Sequence, residues 1–263
     1  MALLNYLISS LLNGICLVGL GVLPYIVLAF LMHFMSRLIR NGIAKESSGN
    51  FWIYLTSPGV AVHELGHVVF CLVFRHQITE VKLFENDSRK NRLGHVCHRY
   101  NPDSYYQRIG NFFIGTGPIW FGVACIFILS KLLLPDGMIS SSYDFRILVK
   151  TFLSGFFTVE FWLSWKTWLW IYLSFSIFAH IALSRSDLEG AADGLLLLIV
   201  SVLLCSILLG WCGPWEETVL KFELYVLITF VSMIIAFFIF FIVPLLLIRF
   251  LISKSESKRR YRR

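Results

Sequence analysis

Long apolar runs alternate with short polar breaks along this chain, and only one polar segment is of any size. Residues 1–14 are apolar but lack a basic start, so they are expected to form an interfacial lead-in or to extend the first span. Ile15 to about Met35 is long enough to cross a bilayer, with Pro24 placed to kink it. A loop carrying Arg37, Arg40 and Lys45 leads to a second apolar run, about Phe51 to Phe74. Within that run Ser57-Pro58-Gly59 should loosen the first half, so that a helix starts near Val60.

The polar segment, Arg75 to Arg108, has strand-like alternation at Ile78 to Phe84 and again at Leu93 to Tyr100. With a charged, turn-like stretch between them, these predict a β-hairpin over about 78–100 at the membrane surface. A third span follows at Gly110 to Leu134, opening on Gly115-Thr116-Gly117-Pro118, a cluster that permits close helix contact or a local break. Residues 146–163 are mixed and aromatic, suited to the interface or to a partial crossing. Trp162, Trp165, Trp168 and Trp170 read as an anchoring belt around a fourth span at about 164–183. The polar stretch Ala182 to Leu195 separates it from a fifth span, Leu195 to Leu209. Leu224 to Leu251 is the last, and a basic tail, 252–263, closes the chain. The expected fold is an all-α polytopic membrane protein of about six transmembrane helices with a small β-hairpin after the second. It forms a single integral membrane domain over 1–263.

Composition agrees. The chain is 57% hydrophobic and 15% charged, against about 45–50% and 25% in a soluble domain, and its mean hydropathy is +0.73. The net charge of +7 sits in loops and in the tail, so membrane topology explains it and nucleic acid is not an expected partner. Lys254, Lys258, Arg259, Arg260, Arg262 and Arg263 place the C-terminus in the cytoplasm, and the hairpin segment with its seven Lys/Arg falls on the same side. Arg37, Arg40 and Lys45 would then lie outside, against the rule. The six cysteines include no CxxC, and Cys16, Cys71, Cys125 and Cys205 read as small packing residues.

Against this background Ser57 to Phe74, SPGVAVHELGHVVFCLVF, is anomalous. It holds His63, Glu64 and His67 in an apolar run, where each ionisable group costs roughly 2.5–3.5 kcal/mol on insertion. The pattern is H-E-x-x-H. Residues four apart share a helix face, so both imidazoles can reach one metal ion, and Glu64 is placed to take a proton from water activated there. Gly66 lets another backbone approach. A hydrolytic zinc site needs a third protein ligand. Asp187, Asp193 and His180 are all candidates, as is a histidine of the hairpin. Asp187 and Glu189 also sit in capping boxes, Ser184-x-x-Asp187 and Ser186-x-x-Glu189, that need do no more than start a helix. His95 and Cys97 fall on one strand face and His98 on the other, which speaks against a second metal there.

HELGH in a membrane span, a strand-like segment, a Gly-Pro cluster in the next span and a late Asp at a span boundary resemble the site-2-protease-like (M50) intramembrane zinc metalloproteases. The resemblance covers roughly 51–210. It implies zinc held by His63 and His67, with Glu64 as catalytic base. The usual Leu-Asp-Gly motif appears only as Ala192-Asp193-Gly194, whereas LSRSDLEGAADG looks more like a small variant with an S-x-x-D-L-x-G-A pattern. That implies Asp187 as third ligand, with Asp193 in reserve. The family's Asn-x-x-Pro element and a PDZ-like domain are missing. The expected function is a zinc-dependent intramembrane endopeptidase acting on membrane-embedded proteins in a bacterial cytoplasmic membrane. A membrane zinc hydrolase for a lipid or other non-peptide amide or ester is the alternative, as is a non-enzymatic adaptor or transporter.

Overall fold

A computed structural model describes residues 4–15, 18–19, 34, 53–85, 93–138 and 145–209. The expected first span, the loop at 211–223, the last span and the basic tail lie wholly or almost wholly outside the described residues. The rest is mostly helical with one two-stranded sheet. In chain order the elements are α1 (residues 4–15), α2 (Ser57–Val73), β1 (Gln77–Lys82), β2 (His95–Arg99) and α3 (Tyr105–Leu133). They are followed by α4 (Phe145–Gly155), α5 (Val159–Leu163), α6 (Trp165–His180) and α7 (Arg185–Leu209).

Helix α2 begins at Ser57, ahead of the start expected near Val60, and Pro58 does not break it. Pro58 lies in the first turn, where a missing N–H costs nothing because that donor has no intrahelical partner. The helix ends in a Schellman motif: His76 N donates to Cys71 O at 2.8 Å and Arg75 N to Leu72 O at 3.2 Å. Arg75 takes the left-handed turn with φ 57°, a conformation that glycine would adopt more readily. This turn sends the chain straight into β1.

The hairpin forms as the alternation predicted, with slightly shorter strands paired antiparallel. Ile78 faces His98 and Glu80 faces Cys97, so one extra residue bulges between Ile78 and Glu80. At its base His76 Nε2–H donates to Gln107 O at 2.9 Å, leaving His76 Nδ1 to accept from His98 Nδ1–H at 3.1 Å. Burial holds both imidazoles below the ordinary 6.5, and for His98 the neighbouring His76 adds to the effect. An unfolded imidazole therefore takes up its proton at higher pH than the folded one. The pair's contribution to stability is complete above 6.5 and is lost as pH falls through that value toward the lower folded ones. Amide hydrogen exchange in β1 and β2, corrected for its intrinsic pH dependence, should show less protection at about pH 5 than at about pH 7.5. His76→Asn should flatten the difference.

Helix α3 starts at Tyr105, capped by Ser104, and runs unbroken through Pro118. Helix α7 is continuous from Arg185, so the polar stretch expected to precede the fifth span at 195 is its first turns. An Arg185–Glu189 ion pair at i,i+4 (2.9 Å) lies on its exposed side. Of the four tryptophans expected in a belt, Trp162, Trp165 and Trp168 are exposed, but Trp170 is not a belt residue. It is 3% exposed, packs with Phe156 and Phe161, and donates its indole N–H to Ser130 Oγ at 2.8 Å.

Among the described residues, α3 and α7 are long and apolar enough to cross a membrane, and the expected total of about six is not reached. Helices α2 and α6, with 17 and 16 residues, extend only about 24–26 Å at 1.5 Å per residue. Leu196, Leu204 and Leu208 on α7 and Ile128 and Leu132 on α3 point outward, as lipid contact requires. Helix α2 packs against both α3 and α6, and α3 packs in turn against α6 and α7.

Candidate metal centre

Close helix crossings set the site. A Cβ at Gly66 of α2 would come within 2.8 Å of the Pro118 backbone, so only glycine lets α2 approach α3 there. Gly115 of α3 plays the same part toward α7: a Cβ there would collide with the backbone oxygen of Asp187. The two contacts bring the polar face of α2 and the first turn of α7 to the same side of α3.

On that side the three side chains meet. His67 Nε2 lies 3.3 Å from His63 Nε2 and 3.4 Å from Asp187 Oδ1, and His63 Nε2 lies 3.6 Å from Asp187 Oδ2. Each imidazole is fixed from behind. His63 Nδ1–H donates to His180 O and His67 Nδ1–H to Ile114 O, both at 2.8 Å. A carbonyl only accepts, so each Nδ1 carries a proton, and in the neutral form of each ring Nε2 then presents a lone pair inward. Two lone pairs and a carboxylate facing one another repel unless something positive lies between them. A single proton can bridge only one of the three pairs. Ligands about 2.0–2.1 Å from a tetrahedral ion are about 3.3–3.4 Å apart, which is the spacing found at His67. The donor set therefore fits a divalent transition metal such as zinc, with backbone carbonyls in the outer shell.

Each carbonyl is offered from a particular place in its helix. His180 is the last residue of α6, and its carbonyl accepts from His63. Ile114 lies four residues before Pro118, whose missing N–H leaves that carbonyl unbonded within α3. Pro118 thus leaves available within α3 the carbonyl that His67 uses. Pro118→Ala should restore the helical hydrogen bond, draw Ile114 O away and weaken zinc binding by about 10–100-fold, the usual cost of losing an outer-shell partner. Calorimetric titration of the purified protein checks this. Unchanged affinity would show that His67 does not depend on that carbonyl.

Asp187 is also the capping residue that its sequence context suggested. It accepts from Ser184 N at 2.7 Å through Oδ2, while its own N–H donates to Ser184 Oγ at 3.2 Å. The capping role and the site role coexist, since the carboxylate holds the helix start with one oxygen and faces His67 with the other. Asp193, held in reserve, is elsewhere: its Oδ2 accepts from Asn111 Nδ2 at 2.7 Å and Tyr100 OH at 3.1 Å. His180 offers its carbonyl, not its ring, whose Nε2 bonds Thr56 Oγ1 at 2.8 Å. Glu189 pairs with Arg185.

Glu64 is 7% exposed and shares with His63, His67 and Asp187 a pocket of about 340 Å³. The opposite wall is β2. A Cβ at Gly94 would lie 2.8 Å from Glu64 Cγ, so the strand approaches the glutamate as closely as glycine allows. Four consecutive residues, His95 to His98, line the pocket. A strand turning one face to the pocket would contribute alternate residues, so β2 is presented by its edge.

Residue patterns alone did not reveal the parts played by Ile114, Pro118, Gly94 and the His180 carbonyl. The one available signal was a proline inside an apolar span, which frees the carbonyl four residues earlier. Compared with protein-family models, with curated proteins and with solved structures, the chain matches none.

Proposed function

We infer that this chain is a zinc-dependent intramembrane endopeptidase of the site-2-protease-like kind. It is a multi-pass protein of a bacterial cytoplasmic membrane with its C-terminus in the cytoplasm. The first and last apolar runs, outside the described residues, bring its spans to about six. The observation that carries the reading is the convergence of His63 Nε2, His67 Nε2 and the Asp187 carboxylate within 3.3–3.6 Å of one another, with Glu64 in the same pocket.

In this reading His63, His67 and Asp187 hold the ion, which when bound supplies the Lewis acidity that polarises a carbonyl and acidifies water. Glu64 accepts the proton of the attacking water and returns it to the departing amine. Its buried position beside Gly94 keeps the carboxylate on the pocket side of α2. A helical substrate has its carbonyls engaged and must unwind first. The edge of β2 suits the unwound strand, because a strand edge pairs with extended backbone. That edge favours a peptide over a lipid, which has no backbone to pair.

Expression of Glu64→Gln in native membranes, with proteins and lipids both quantified against wild type, tests the reading. An uncleaved membrane protein should accumulate. Accumulation of a lipid amide or ester alone would transfer the site to non-peptide hydrolysis, and accumulation of neither would contradict hydrolytic function.

A further inference from the structure

Outside the pocket's deep end, a second group of donor atoms lies on the hairpin. His95 and Cys97 point to one face of β2, as alternate residues do, and the sequence shows no third donor beside them. The bulge supplies it. Without the extra residue after Ile78, Thr79 would stand opposite Cys97; with it, Glu80 does. The donor atoms of Glu80, His95 and Cys97 all lie within 4.8 Å of one another. His95 Nε2 is 3.3 Å from Glu80 Oε1, close to the spacing of two ligands on one ion.

The histidine is also backed by a carboxylate. Glu85 Oε2 lies 3.9 Å from His95 Nδ1, on the far side of the ring from Glu80. The two carboxylates thus flank the imidazole, with Glu80 on the Nε2 side and Glu85 on the Nδ1 side. Lys82 Nζ donates to both carboxylate oxygens of Glu85, at 3.2 and 3.3 Å, and stands further from Glu80, at 3.7 Å. The ammonium thus steadies the outer carboxylate and leaves Glu80 the freer of the two.

We propose that Glu80, His95 and Cys97 form a second site for a thiophilic divalent metal of the zinc class, on the hairpin wall of the pocket. A thiolate, an imidazole and a carboxylate are a donor set that zinc accepts and that magnesium or calcium does not. Binding releases the Cys97 thiol proton to solvent. A fourth position stays open to water. The proposal does not depend on the endopeptidase reading, because the deep site contains no sulfur and the two can be told apart by spectroscopy.

The test is cobalt(II) loading of the purified full-length protein, followed by zinc competition. Wild type should show a near-ultraviolet sulfur-to-cobalt charge-transfer band, displaced by zinc, and should bind a second equivalent of metal beyond that held by the deep site. The band should survive in His63→Ala/His67→Ala, which removes only the deep site, and vanish in Cys97→Ser. Cys97 is exposed, so Cys97→Ser leaves the core untouched. A band that persists in Cys97→Ser, or a wild type without one, would overturn the proposal. A wild type that shows the band but binds no metal at the deep site would instead count against the endopeptidase reading alone.

Discussion

Glu64→Gln should retain its metal and its fold yet lose about 10²–10⁴-fold in turnover, the range that a positioned general base or acid supplies. Gln keeps the shape of Glu and lacks its basicity. It is isosteric, so Gly94 and β2 still pack against it, and it leaves the His63, His67 and Asp187 constellation intact. It cannot accept a proton. Single-turnover cleavage of a reconstituted substrate, with zinc content measured on the same sample, separates the two effects. A variant that loses metal together with activity would make Glu64 a structural residue of the site. A variant that loses neither would remove it from the chemistry.

The second large effect separates two aspartates six residues apart on one helix. Asp187→Ala should lower zinc affinity by more than the roughly 10–100-fold typical of an outer-shell partner, because the carboxylate directly faces both Nε2 atoms. Asp193→Ala should leave zinc affinity unchanged. Its cost falls on the packing of α3 against α7, where Asn111 and Tyr100 lose their acceptor. Asp187 also reaches back to the Ser184 N–H in the capping box that starts α7, so its loss should lower helix stability as well. Asp187→Ser keeps a capping oxygen without a charge and isolates the metal effect from the capping effect. Zinc titration and thermal unfolding of the three variants should give opposite rankings for Asp187→Ser: poor in binding and near wild type in stability.

Some of this architecture is written in local patterns. Residues four apart on a helix must share a face, so His63 and His67 were legible as a pair. Alternation over 78–84 and 93–100 was legible as a hairpin because the strand period is two. Ser184-x-x-Asp187 was legible as a helix start, and it is one. What escaped depends on neighbours remote in sequence. Hydropathy placed the fifth span at Leu195, since it measures contact with lipid, whereas α7 begins at Arg185 where its cap is. Trp170 has the composition of a belt residue and became core because Ser130 of α3 accepts its N–H. Neither the free carbonyl of Ile114 nor its use by His67 follows from Pro118 until α2 and α3 cross at Gly66. The bulge that sets Glu80 opposite Cys97 is likewise invisible in the alternation of β1 alone.

The proposed function requires an ion between α2 and α7. Anomalous diffraction at the zinc edge, from crystals of the full-length chain, locates that ion directly. The expected result is a peak about 2.0–2.2 Å from His63 Nε2, His67 Nε2 and an Asp187 oxygen together. A clear map with no peak between those three side chains, at zinc concentrations that saturate the protein, would contradict it.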